Sequence, residues 1–600
     1  IEFIQRGNKT EVNTFPNEPF KSYFSGNTVQ ICPVGALTST SYRFKARPWD
    51  LKSTRSTCNG CPTGCSIELN SSQNKMLRIL GVDNDAVNQG WMCDKGRYNF
   101  EYLNSDSRLK TPLKMMDNEL VEIEIQDIYS ELTEFIKDRQ TKVNFLLGSN
   151  LTNEDYVAFR EFSKTISQSE SSFYLNDDLL YKGFFGDNIE LAKINDLNSS
   201  DAIVVWAEDL KEKLPVLYLR IRQAVKNGVK LVVFGHTNET LSDIADVFYG
   251  KDMVSENFEI LKDLSKMKEI NNLVVGKNIT AILGKSTPYQ ADESITKLFE
   301  FLNSNANSKV LNAYSKGNTY GAFQTLENLK GLNDFVNDIS KDNTDLLFIV
   351  GADPIGRSVY SNQIKSIIKS IDTVVTLDNF NHETSELSDY VVPISSTLGE
   401  KEGTFTNIEF RTSRIEKLVP SPGQTVSDWE FITSLMNFAG LKAEANSLED
   451  LNRKAYENLD SSLSPVFDNL DKPSNLDGMI NISKPKISTS ENKLNKTMFF
   501  TGEKLYGDSA TERHSDSISM LGSKKFIEVS ESVVEKYNLT SGSCTLTQDE
   551  LEVTVSYEVN NNFPNDLVYI PTNRRELNKF DFSREILIIP TQVKEALNVN

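Results

Sequence analysis

Histidine and cysteine, the side chains that most often bind metals and move protons, are scarce in this 600-residue chain: three of the first and six of the second. His236, His382 and His514 are scattered and no acid–base constellation accompanies them, so each reads as a polar surface or hydrogen-bonded residue and no catalytic residue is expected. No apolar run reaches the roughly 18 residues of a membrane-spanning helix, so any membrane association is expected to pass through partner proteins. Basic residues are outnumbered, 64 against 84 acidic, and a net charge of −20 repels phosphate backbones, which argues against nucleic-acid binding. No fixed-period repeat is found, and no charged segment followed by an apolar one opens the chain. The start at Ile1 reads as a cut inside a longer polypeptide.

What is present is enough apolar material, 38% of residues, to build sizeable cores in roughly three or four domains. The cysteines are distributed unevenly. Cys32, Cys58, Cys61, Cys65 and Cys93 crowd the first 93 residues, and none follows until Cys544. A disulfide framework would spread pairs through a small secreted domain; clustered thiols in a large chain point to a metal site in a reducing compartment.

The central motif is Cys58-x2-Cys61-x3-Cys65, joined later by Cys93. Three thiolates on one short loop can grip one face of a cubane and a fourth from a distant turn can close it, which is the donor set of a [4Fe–4S] cluster. Structural zinc more often uses two separate Cys-x2-4-Cys knuckles, and the three-and-one division here suits the cubane better; zinc and unligated thiols stay as alternatives. Gly60 and Gly64 let the loop wrap, so that peptide N–H groups can reach the sulfurs. Cys32 stands in a Cys-Pro pair, the usual last ligand of a ferredoxin-type run. No second trio of cysteines exists, so Cys32 is either an ordinary buried thiol or the last ligand of a second cluster whose co-ligands lie before Ile1; the fragmentary start favours the latter.

Along the chain, residues 1–50 read as the tail of a preceding domain. Residues 51–107 hold the cysteines, with strand-like stretches at Ser66–Asn70 and Met76–Val82 about the polar turn SSQN. From 108 to 460 continuous apolar runs (Asn144–Leu147, Ala202–Trp206, Lys230–Phe234, Ile279–Leu283, Leu346–Val350, Thr373–Leu377) alternate with amphipathic stretches such as Asn153–Thr165 and Val216–Lys226. That alternation predicts an α/β body of parallel sheet covered on both faces. Gly148, Gly235, Gly284 and Gly351 follow strand ends, where tight turns lead toward the ligand-binding edge of such sheets. Residues 461–496, rich in Ser, Asn, Asp, Lys and Pro, read as a linker. Residues 497–600 return to short β-type runs (Cys544–Leu546, Leu551–Tyr557, Leu567–Ile570, Ile586–Ile589), a separate β-rich domain that a small barrel would satisfy.

The segment GNTVQICPVGALTSTSYRFKARPWDL, the SxCxxCxxxC that follows, VNQGWMCDKGR and RLKTPL resemble the large iron–sulfur subunit of bacterial respiratory NADH:quinone oxidoreductase (complex I). The resemblance is strong over 26–113 and becomes architectural over 114–600, with echoes at FIVGADP and GEKEGTFTN. It implies that Cys58, Cys61, Cys65 and Cys93 hold the extra [4Fe–4S] cluster of bacterial versions, and that Cys32 is the last ligand of a neighbouring [4Fe–4S] cluster. It further implies a [2Fe–2S] cluster and a Cys3His cluster in the part before Ile1. The body and C-terminus are similar to the molybdopterin oxidoreductases, whose final domain is a double-psi barrel.

The implied activity is electron relay from NADH and flavin toward quinone, as a subunit and without a catalytic site of its own. The implied partners are the flavin/NADH-binding subunit, a small [2Fe–2S] subunit and the quinone-site subunits, in a peripheral arm on the cytoplasmic face of the bacterial inner membrane. The same cysteine motif with Cys93-Asp94-Lys95-Gly96-Arg97 occurs in molybdenum enzymes such as formate dehydrogenases and nitrate reductases, where the Lys lies between cluster and pterin. Lys95 is weighed in that role against a surface lysine. No Cys between Cys93 and Cys544 is available as a molybdenum ligand, and the ARPWDL segment resembles complex I, so no molybdenum is expected. The Glu400–Asn407 segment resembles a pterin-side loop, against a solvated turn, and Phe410 stands where relatives often have Gly.

Overall fold

The computed structural model describes residues 2–14, 20, 22–137, 141–166, 171–177, 179, 190–207, 209–249, 270, 272–274, 276–284, 302, 307–456, 497–522, 525–574, 576–582 and 584–591. The linker expected over 461–496 lies outside them. Near the N-terminus a short antiparallel pair, Glu2–Ile4 with Glu11–Asn13, precedes a helix at Ser25–Ile31. A three-stranded antiparallel sheet follows, Lys52–Thr57, Ser66–Ser72 and Lys75–Gly81. Its second and third strands are the two stretches the sequence marks. They are joined through Gln73 and Asn74, both in the left-handed region that a tight hairpin turn needs.

The apolar runs form parallel strands but divide between two sheets, which their uniform character could not disclose. A seven-stranded sheet runs in the order Glu119–Glu122, Leu113–Met116, Tyr390–Pro393, Thr373–Asp378, Leu346–Val350, Val143–Leu147, Phe173–Leu175; only Leu113–Met116 runs against the rest, antiparallel to the strand on each side of it. An all-parallel six-stranded sheet, Glu190–Leu191, Ser308–Asn312, Ile279–Leu283, Ala202–Trp206, Lys230–Phe234, Val247–Tyr249, is inserted between Phe173–Leu175 and Leu346–Val350 of the first. Central strands of both sheets are buried throughout, as a sheet covered on two faces requires. In the first sheet Phe145 stacks between Phe173 and Phe348 of its neighbour strands, at 5.0 and 5.6 Å between centroids. Helices Asn153–Ile166 and Pro215–Lys226 coincide, within a residue, with the amphipathic stretches. At Gly148 a Cβ would sit 2.0 Å from the carbonyl oxygen of Gly351, so these two strand ends meet backbone to backbone.

The C-terminal residues form a mixed six-stranded sheet in the order Met498–Gly502, Leu567–Pro571, Phe526–Val529, Leu551–Val559, Ser543–Gln548, Leu587–Pro590. No described helix is long and apolar enough to cross a membrane.

The GEKEGTFTN segment corrects the solvated-turn reading. Glu400, Lys401, Thr404, Thr406 and Asn407 are all buried. Their polar groups are satisfied internally: Arg108 donates to both oxygens of Glu400 at 2.9 and 2.8 Å, and Lys401 pairs with Asp155 and Asp428. Gly403–Thr406 pairs with Thr412–Ile415 as a hairpin. Phe410, at its tip, holds φ +55, the backbone conformation that glycine supplies without cost; its ring is buried edge-on against Tyr320 at 5.2 Å.

Candidate metal centre

Strand Lys52–Thr57 delivers Cys58 and strand Ser66–Ser72 leaves directly after Cys65, so the loop between them is closed at its neck, where Cys58 N–H donates to Cys65 O at 2.9 Å. Gly64 is left-handed at φ +62, and a Cβ there would meet Asn407 at 2.9 Å and Phe405 at 3.1 Å, so the loop is pressed onto the 403–415 hairpin. Ile408 N–H donates to Pro62 O at 2.8 Å, and Thr57 Oγ1 to Arg414 O at 2.8 Å. The segment that resembles a pterin loop thus clamps the cysteine loop.

Cys93 caps helix Asp94–Tyr98, and Gly96 N–H points at its sulfur, 3.5 Å away. Asp94 in turn accepts from Ser25 N–H and Oγ and from Gly26 N–H, which fastens the Ser25–Ile31 helix to this one. A Cβ on Gly96 would lie 3.0 Å from Cys58 Sγ and 3.7 Å from Cys93 Sγ.

Cys58, Cys61, Cys65 and Cys93 together line one cavity of about 50 Å³, with Met92, Val216 and Lys95 among its other walls. None is in a disulfide. Burial pushes all four thiols up, Cys93 to about 12, while backbone amides of Gly60 at Cys58, Thr63 at Cys61 and Gly96 at Cys93 pull the other way. Among the described residues no three His, Cys, Asp or Glu side chains converge on a point that would hold a single ion. Four soft donors arranged round one cavity fit the donor set of a [4Fe–4S] cluster.

Cys32 is not brought to this cavity. It ends the Ser25–Ile31 helix, half-buried beside exposed Ile31 and Val34, with its pKa lowered chiefly by the Leu37 backbone. Cys544 is buried in a C-terminal strand, raised to about 11 by burial alone. Lys95 is not a free surface lysine: its Nζ is 2.9 Å from Oε1 of buried Glu512. His382 lies buried between Asp353 and Asp378, and His514 stacks flat on Phe380 at 4.4 Å. Thr63, Glu512 and the returning strand Thr412–Ile415 were not found from the sequence; none carries a local pattern that separates it from ordinary polar residues.

Comparison with known proteins gives three family matches: "Molybdopterin oxidoreductase" over residues 108–438, more than half of the chain, "Molybdopterin oxidoreductase Fe4S4 domain" over 51–105, and "NADH-quinone oxidoreductase subunit 3, ferredoxin-like domain" over 1–38. The G-type subunit of NADH-quinone oxidoreductase from Mycobacterium bovis is 33% identical over 237 residues, covering 38% of this chain and 29% of that protein. The match thus spans less than a third of that relative's length. A second G-type subunit of NADH-quinone oxidoreductase, from Rhizobium meliloti, is 22% identical over 96% of this chain and 76% of its own. Acetylene hydratase from Pelobacter acetylenicus shares the fold, with TM-score 0.59 at 12% identity over 86% of this chain and 92% of its own. The chain belongs to the molybdopterin oxidoreductase family and, within it, is similar to the G-type subunits of NADH-quinone oxidoreductase.

Proposed function

We propose that the chain is an iron–sulfur electron-relay subunit of NADH:quinone oxidoreductase, passing electrons from NADH and flavin toward quinone. What carries this reading is that Cys58, Cys61, Cys65 and Cys93, drawn from two separate segments, line one buried cavity. Such a donor set holds a [4Fe–4S] cluster, which supplies one-electron oxidation and reduction. The chain's own part is to orient the thiolates, to exclude water and to aim the N–H groups of Gly60, Thr63 and Gly96 at the sulfurs, which tunes the potential. Cys32 is proposed as the last ligand of a second [4Fe–4S] cluster, its place beside exposed Ile31 and Val34 suiting co-ligands from outside these residues. A [2Fe–2S] cluster belongs to the same reading, in the ferredoxin-like part.

Partners are the flavin/NADH-binding, small [2Fe–2S] and quinone-site subunits, in a peripheral arm on the cytoplasmic face of the bacterial inner membrane. Working domains are 1–50, 51–107, 108–460 and 497–600, with the last as a double-psi barrel. The test is electron paramagnetic resonance of the anaerobically purified, reduced chain. A [4Fe–4S] signal that Cys61→Ala abolishes supports the assignment; a signal unchanged by that substitution removes it.

A further inference from the structure

Where the carboxyl ends of strands from all three large sheets meet, a second cavity opens, lined by the carboxylate-bearing Asp177 just after strand Phe173–Leu175 and by Ala207, Ala313, Arg357, Gly502 and Thr572 among others. This edge is where open α/β sheets bind ligands, and its cations, Lys213, Lys316 and Arg357, would suit a phosphorylated one. The family's name implies such a group, molybdopterin, a phosphorylated pterin. The residues present do not fit it. Glu503, directly after strand Met498–Gly502, places its carboxylate among the three cations: Lys213 is 3.4 Å from Oε2, Lys316 3.7 Å and Arg357 4.0 Å from Oε1. Lys213 donates a long hydrogen bond and the other two cations make charge contacts only, so the carboxylate is a counter-ion shared by all three.

Burial pushes the Glu503 carboxyl up, but Lys213, then Lys316 and Arg357, outweigh it and hold it well below the usual range, so it is charged at neutral pH. The remaining cavity measures about 80 Å³, against roughly 300–1,000 Å³ for cofactor sites. Glu503, Lys213 and Ser315 also line the cysteine cavity, so this ion-paired group stands as the wall between the two spaces.

We infer that Glu503 is the built-in anion of this cleft, occupying the place of a ligand's phosphate, so that the cleft is closed to phosphorylated ligands yet keeps a latent diphosphate site made by Lys213, Lys316 and Arg357. The inference goes beyond the electron-relay reading and stands whether or not that reading does.

The test is calorimetric titration of the full chain with inorganic pyrophosphate, wild type against Glu503→Gln, at low and raised salt. The wild type is expected to give no saturable binding. Glu503→Gln is expected to bind at least about tenfold more tightly, because a like charge no longer opposes the ligand. The affinity should weaken as salt rises, and adding Arg357→Gln should remove it. Equal binding by both proteins, or none by a folded Glu503→Gln, overturns the inference. Should that variant not fold, Glu503→Asp, its carboxylate withdrawn by one methylene, is expected to gain a smaller affinity, and no gain overturns it. The pterin fluorescence of the oxidised wild-type chain is an independent readout: baseline is expected, and a stoichiometric pterin refutes the closed cleft.

Discussion

Lys95 Nζ and Glu512 Oε1 lie 2.9 Å apart, joining the helix that carries Cys93 to the C-terminal region across more than four hundred residues of chain. Glu512 is 1% exposed and also accepts from Gly507 N–H and from Ser509 N–H and Oγ. Burial would raise its pKa, but Lys95 and Arg357 outweigh that and hold it down to about 2. Lys95→Met therefore leaves a buried carboxylate short of its nearest cation, and we expect a loss of about 1–3 kcal/mol, at the low end for broken buried pairs because three hydrogen bonds remain. Thermal melting checks it, and Lys95→Arg should recover most of the loss. Equal melting of Lys95→Met and wild type would show that the pair contributes nothing.

Cavity-lining Cys61 and buried Cys544 should separate under substitution. Cys61→Ala is expected to lose most of the bound iron, because a cavity built for four thiolates retains three. Cys544→Ala, in a strand far from that cavity, is expected to keep its iron and to cost about 1–2 kcal/mol for the void it leaves. Iron assay and melting on the same samples tell the two apart, and iron loss in Cys544→Ala would contradict the division.

The gathering of Cys58, Cys61 and Cys65 at one cavity was legible in the sequence because their spacing is local: they share one loop, and chemistry that needs three donors together leaves a short-range signature. The strands of the body were legible for a related reason, since burial on both faces forces unbroken apolar runs. What could not be read is whatever depends on distant partners. Lys213, Lys316, Arg357 and Glu503 each look like surface charges, and only the meeting of three sheet edges makes them one cluster. Glu400 and Lys401 read as a solvated turn because their counter-ions, Arg108, Asp155 and Asp428, lie on other elements. The two-sheet partition was hidden for want of any difference in character between the strands of each.

His382 gives a pH dependence with a definite sign. Its Nδ1 is 3.3 Å from Asp353 and its Nε2 3.2 Å from Asp378, the latter a charge contact without hydrogen-bond alignment. Burial pushes its pKa down, but Asp353 and Asp378 outweigh it and raise it to about 10. The folded protein thus keeps a proton that the unfolded chain releases near about 6.5. The stabilisation is complete below that value and is lost as pH rises through about 10. Melting curves recorded between about pH 6.5 and 10 should fall more steeply for wild type than for His382→Gln. Parallel curves would remove the charged imidazole from the account.

Cluster loss should act locally first. Binding of this kind contributes to folding directly, so iron chelation or oxygen exposure is expected to raise hydrogen exchange across residues 51–107 before the two parallel sheets respond. Simultaneous loosening of both would mean that the cysteine region is held by its packing alone.

The central claim is tested most directly by iron, sulfide and molybdenum analysis of the anaerobically purified chain. The account predicts about four irons and four sulfides per chain from the Cys58, Cys61, Cys65 and Cys93 site, without molybdenum. One zinc in place of iron, or stoichiometric molybdenum with a pterin, would contradict it.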